Sequence, residues 1–178
     1  IHDFGAEGAS LDAVSVKNRG NGARNPRAHF QKAVTHEDVN QSRPVADPLR
    51  LLHCCPNSDG AAAVLVCSED FARHIERPTV AIRASVVLSG QFHTSYRDMT
   101  WPDITHRAAM RAYRHADLEP RDLDLVELHD AFSIAELLHA EALGISERGQ
   151  AHQDVLNGEF ARDGRVAVSP SGGLLSRG

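Results

Sequence analysis

Residues 123–128, Leu-Asp-Leu-Val-Glu-Leu, read as a β-strand, and residues 132–143 read as a helix closed by Gly144 as its C-cap. His129 and Asp130 therefore fall at a strand-to-helix junction, and that junction constrains the fold more than any other feature. The same alternation recurs upstream. Residues 60–67, Gly-Ala-Ala-Ala-Val-Leu-Val-Cys, are small and continuously apolar, as expected of a strand buried on both faces. Ser68 suits the N-cap of a short helix ending near Ile75, with Glu69 and Asp70 in its first turn. Residues 80–88 form a second predicted strand. Residues 102–116 form an amphipathic helix whose Arg107, Arg111 and Arg114 face water. Strand, helix, strand and helix with short connections define an α/β fold around a mixed sheet.

Two stretches interrupt this order. A helical start at residues 11–17 gives way to Asn18-Arg-Gly-Asn-Gly-Ala-Arg-Asn-Pro26, whose Asn, Gly and Pro favour turns. Residues 35–56 are broken by Pro44, Pro48 and Pro56, and residues 38–41 are too short and polar to assign. Both are expected to run over the surface, where ligand contacts concentrate. Residues 90–101, polar and aromatic, are a predicted loop.

Composition excludes several classes of function. A net charge of −5 gives no footprint for a nucleic acid. Three cysteines, two of them adjacent (Cys54 and Cys55), do not make a disulfide framework, which points to a reducing, cytoplasmic setting. No apolar run reaches the length of a membrane span. The 11 histidines fall in no His-x-x-x-His or Cys-x-x-Cys spacing, so no metal is expected.

Three segments could carry chemistry. Ligands of α/β sheets gather at the carboxyl ends of strands, where His129 could donate an N–H to a developing oxyanion. Taken alone, His129 reads first as a satisfied structural histidine and Asp130 as a helix cap. In Ser169-Pro-Ser-Gly-Gly173 the paired glycines let backbone approach a ligand, or make a tight turn before a helix. Cys54 precedes an apolar run, which suits packing; a nucleophilic role would need a depressed pKa.

Taken together, the segments resemble the thiolase superfamily, in its sterol-carrier-protein-type and archaeal-type branch. The resemblance rests on four stretches in order. These are Ala13-Val-Ser-Val-Lys-Asn-Arg19 leading to Asn25-Pro26; Ser42-Arg-Pro-Val-Ala-Asp-Pro-Leu-Arg-Leu-Leu52 with Cys54-Cys-Pro56 and Ser58-Asp-Gly-Ala-Ala-Ala-Val64; Glu127-Leu-His-Asp-Ala-Phe132 with Glu136-Leu137 and Glu141-Ala-Leu-Gly144; and Pro170-Ser-Gly-Gly-Leu-Leu175.

The resemblance implies a thiolase-like fold of five layers, α-β-α-β-α, only partly represented here. Residues 1–76 would end the N-terminal half with its loop region, and residues 77–178 would begin the C-terminal half. It implies acyl transfer on coenzyme A thioesters in lipid metabolism, by thiolysis or Claisen condensation, with CoA and acyl-CoA as substrates and no permanently bound cofactor. His129 matches the oxyanion-hole histidine. Ser171, Gly172 and Gly173 match the loop lining the acyl group, and Ser58 closes the segment matching the approach to the pantetheine arm. The family's nucleophilic cysteine and its Gly-His-Pro histidine have no counterpart in residues 1–178, so this chain alone is expected to be inactive and to be a piece of a larger enzyme. A homodimer is implied. A retro-aldolase acting on steroid side-chain CoA esters with a DUF35-type partner, or a non-catalytic acyl-CoA-binding half, would carry the same motifs.

Overall fold

The computed structural model describes residues 3–90 and 98–178. Helix α1 spans Gly8–Gly22 and corrects the expectation of a loop from residue 18. Asn and Gly are poor helix formers, but tertiary contacts override propensity here. Asn18 and Asn21 are buried and bonded to groups more than a hundred residues away, and the Arg19 guanidinium lies 4.0 Å from the Phe30 ring centroid. Helix α2 (His36–Gln41) appears where the sequence allowed no assignment. Its signal is a capping box: Thr35 Oγ1 accepts from the Asp38 N–H, and Asp38 Oδ2 accepts from the Thr35 N–H.

Strands β1 (Pro44–Ala46) and β2 (Leu49–Arg50) then form an antiparallel hairpin, followed by a 3₁₀ turn over Leu51–His53. His53 pins this segment to α1. Its Nδ1 accepts from the Arg50 N–H at 3.1 Å, leaving Nε2 to donate to Asp12 Oδ1 at 2.8 Å.

The strands expected at residues 60–67 and 80–88 do not form. Neither segment has regular structure, and Leu65 and Val80 are 84% and 94% exposed. A strand needs a neighbour for its backbone N–H and C=O groups, and neither segment makes a backbone hydrogen bond to another described segment; residues 83–88 meet the side of the helix Asp103–Ala116. The mixed sheet is accordingly reduced to two separate two-stranded ladders among the described residues. Between them α3 (Glu69–Ala72) forms as expected, with Ser68 Oγ accepting from the Phe71 N–H, though it stops before Ile75. Most of the loop expected at 90–101 lies outside the described residues.

Helix α4 (Asp103–Ala116) matches its expected bounds to within a residue and ends at Asp117 in the left-handed region, φ 56°. Arg111 and Arg114 face water, while Arg107 is half-buried against Asp103 at 2.7 Å. Tyr113 donates to the Leu143 carbonyl, joining α4 to α5 (Ser133–Ala142). Strand β3 (Leu125–Val126) is shorter than expected and pairs in parallel with β4 (Ala167–Val168); α6 (Ala151–Leu156) lies between them and α7 (Gly173–Arg177) follows. The core gathers Val14, Leu137, Ala140, Phe160, Val168 and Leu175, each nearly or fully sealed from solvent. Full burial of the Val, Leu and Phe side chains contributes about 1.5–3 kcal/mol each. It anchors α1 against α5, α6, α7 and the β3–β4 pair. No helix among the described residues is long and apolar enough to cross a membrane.

Candidate active site

The register Leu125↔Ala167 and Val126↔Val168 makes β3 and β4 parallel, so the segments that follow them leave from the same end. One carries Glu127 to Phe132; the other carries Ser169 to Gly173. Parallel pairing thus brings together two motifs separated by some forty residues of sequence, at the carboxyl edge where α/β proteins hold ligands. Direct bonds join them. Glu127 Oε1 and Oε2 accept from the Ser171 N–H (2.9 Å) and Oγ (2.8 Å), and Asp130 Oδ1 accepts from the Leu174 N–H at 2.7 Å.

A third segment closes the edge. Cys54 and Phe132 form an antiparallel bridge, and the Cys55 N–H donates to the Ala131 carbonyl at 2.9 Å. Ser58 Oγ, further along, donates to the Arg177 carbonyl at the end of α7 (2.9 Å). Ser58, Ser171, Gly172 and Gly173 therefore belong to the same assembly as the turn carrying His129.

The two glycines are there for steric reasons. A Cβ on Gly173 would lie 2.2 Å from Asp130 Oδ2, and one on Gly172 2.8 Å from the Gly22 Cα. Their φ values, +56° and +109°, lie in the region that disfavours side chains. Ser169 also holds a positive φ of 50° and is fully buried.

His129 is exposed and Asp130 is fully buried, so the pair splits across the surface. Asp130 does not cap α5, whose N-cap is Phe132 with no side-chain bond; it reaches instead to α7 and α1. Beneath it lies a buried polar cluster. Asn18 Nδ2 donates to Asp130 Oδ2 and to Glu136 Oε2, both at 2.8 Å. Lys17 Nζ donates to Asn18 Oδ1 (2.6 Å) and the Val168 carbonyl (2.7 Å) and lies 3.0 Å from Glu136 Oε1. Burial, then the charge of Glu136, pushes the Asp130 carboxyl up to about 6, against the opposing pull of the Leu174 N–H and Lys17. Burial, then the neighbouring charge of His129, lowers the pKa of His139 on α5.

Cys54 is no activated nucleophile. Burial, then Cys55, raises its thiol pKa, and its Sγ donates to the Arg50 carbonyl at 3.4 Å. His53, the adjacent base, has both ring nitrogens engaged elsewhere.

The family model described as thiolase C-terminal domain-like matches residues 86–178, just over half the chain. The chain belongs to the thiolase family. Along its whole length it is 45% identical to an acetyl-CoA acetyltransferase of Methanothermobacter thermautotrophicus and 42% identical to benzoylsuccinyl-CoA thiolase subunit BbsB of Thauera aromatica, covering 47% and 46% of those proteins. It is 36% identical to sterol carrier protein 2 of Gallus gallus, of which it covers 34%. The chain thus spans half or less of the length of these relatives. A solved structure titled Ltp2-ChsH2(DUF35) aldolase superposes on 99% of this chain and 48% of its own, with a TM-score of 0.93 at 31% identity. The fold is thiolase-like, and this thiolase chain matches about half of the length of that solved chain.

Glu127, Lys17, Asn18 and Glu136 stand within the stretches that carry the resemblance but receive no role from the sequence, although each fixes part of this thiolase edge. Glu136 offered one signal: a carboxylate in the otherwise apolar Ser133-Ile-Ala-Glu-Leu-Leu138 stretch needs a buried partner.

Proposed function

We propose that the polypeptide carrying this chain is a CoA-thioester acyltransferase of the thiolase type, in lipid metabolism, and that residues 1–178 supply its oxyanion-binding edge. The observation that carries this reading is the parallel β3–β4 pair, which delivers His129 and the Ser171–Gly173 loop to one edge. His129 donates an N–H to the thioester carbonyl oxygen, stabilising the charge that develops when the carbonyl is attacked or when an enolate forms. Its exposed ring is free to meet a ligand. Gly172 and Gly173 let backbone run close beside the acyl group, and Ser58 and Ser171 flank the pantetheine arm. Residues 1–76 complete an N-terminal half and 77–178 open a C-terminal half.

The test uses the full-length polypeptide with acetoacetyl-CoA and CoA. His129→Ala should lower kcat about 10²- to 10³-fold, the loss seen for one oxyanion donor, with Tm unchanged. A variant turning over at the wild-type rate would remove His129 from the mechanism.

A retro-aldolase working with a DUF35-type partner is the second reading, favoured by the 0.93 TM-score to a structure of that title. Cleavage of a β-hydroxyacyl-CoA that requires the added partner, without thiolysis of acetoacetyl-CoA, would select it.

A further inference from the structure

The proposed oxyanion donor presents a positional problem. His129 is exposed, and no side chain among the described residues hydrogen-bonds its ring. Its placement must come from the backbone of the turn, and the next residue points the opposite way. Asp130 runs inward, where its two carboxylate oxygens hold two different elements: Oδ1 takes the Leu174 N–H of α7, and Oδ2 takes the Asn18 amide of α1. The Gly173 α-carbon rests directly on the carboxyl group, so the loop cannot shift without displacing it. Lys17 extends the assembly to the end of β4 through the carbonyl of Val168, the last residue before the Ser169–Gly173 segment.

We propose that Asp130 is a positioning residue that sets His129 against the Ser171–Gly173 loop, with Lys17, Asn18 and Glu136 as the buried frame that fixes its carboxylate. This rests on the thiolase-type reading of the site. Asp130 touches no substrate; it acts through the backbone on both of its sides. The hydrogen-bond polarity of the frame is fully determined. Asn18 gives both N–H groups to carboxylates and takes the Lys17 ammonium on its oxygen, so exchanging any one donor for an acceptor misaligns the rest. The ionised carboxylate is held there against its burial, and packing alone would not require an ion.

Determined polarity allows a decisive test in the full-length enzyme. Asp130→Asn keeps the acceptor for Leu174 but sets two amide donors face to face at Asn18. The triple exchange Asn18→Asp, Asp130→Asn and Glu136→Gln restores each donor–acceptor pair made by the residue 18 side chain and moves the carboxylate to that position; Lys17 Nζ loses its 3.3 Å bond to Glu136 Oε2 but keeps an oxygen at the Oε1 position, 3.0 Å away. Two readouts are needed: the His129 imidazole NMR signals, and kcat and KM for acetoacetyl-CoA thiolysis. For Asp130→Asn, the His129 signals should shift and kcat should fall about 10- to 100-fold, as expected for a small misplacement, with KM within about 3-fold. The triple exchange should return both towards wild type. Wild-type signals and kcat in Asp130→Asn would overturn the proposal. So would a triple exchange that does not fold, or that folds with His129 still displaced or kcat still low. If Asp130→Asn does not fold, the triple exchange decides alone. A wild-type enzyme inactive on every thioester would refute the thiolase-type reading instead, while the NMR signals still report the coupling.

Discussion

Gly173→Ala places a methyl group 2.2 Å from Asp130 Oδ2, 2.6 Å from Oδ1 and 2.7 Å from Cγ. The carboxyl cannot move aside cheaply, because it is fully buried and bonded to Leu174 and Asn18. Three costs add. Holding an alanine at φ +56° costs about 1–2 kcal/mol. Forcing a side chain into a filled site costs about 1–3 kcal/mol. Pulling the carboxyl off the Leu174 N–H strands a donor at about 1–3 kcal/mol. These overlap, so a destabilisation of about 3–6 kcal/mol is expected in urea unfolding of the full-length protein. The assay is a double-mutant cycle with Asp130→Ala, which removes the group the methyl strikes. The coupling should be about 1–3 kcal/mol, with the double variant more stable than the two single losses predict. A Gly173→Ala protein within about 0.5 kcal/mol of wild type, or a strictly additive cycle, would refute the steric reasoning.

Two further outcomes follow from the same structure. Because the Asp130 carboxyl is raised from 3.8 to about 6 in the folded state, folding binds its proton more tightly, and this group's contribution to stability falls as pH rises through that window. The span is on the order of 3 kcal/mol at most; Tm measured from pH 4 to 7.5 should fall more steeply with rising pH in wild type than in Asp130→Asn, and parallel curves would contradict it. The 178-residue chain alone should self-associate through residues 60–67 and 80–88, whose apolar side chains face solvent. Leu65→Lys with Val80→Lys should reduce light scattering at equal concentration, and unchanged scattering would locate the association elsewhere.

The legible parts of this chain were those whose structure is decided locally. Residues 103–116 carry their own periodicity, residues 68–72 their own cap, and both formed. The expected strands at 60–67 and 80–88 were read from composition suited to a sheet interior, and a sheet interior requires neighbours that the described residues do not provide. The opposite error occurred at 18–22, where local propensity argued for a loop. There the decisive bonds lie on α5, α7 and the β3 turn, far along the sequence and invisible to any window. The candidate site shows the same division. His129 and the paired glycines announced themselves by motif, whereas Lys17 and Asn18 acquire meaning only through Asp130 and Glu136.

The span of the Asn18–Glu136 bond also has a consequence in time. Its partners are 118 residues apart, so a ribosome working at about 5–20 residues per second completes the second on the order of 6–24 s after the first. Throughout that interval the nascent α1, poor in helix formers, can meet α2 and His53 through Asp12 but lacks the packing surface of α5, α6 and α7 and the carboxylate partners of Asn18. Its ordering must wait for the chain's last third, which makes the interval one in which a holdase could act on the emerging α1.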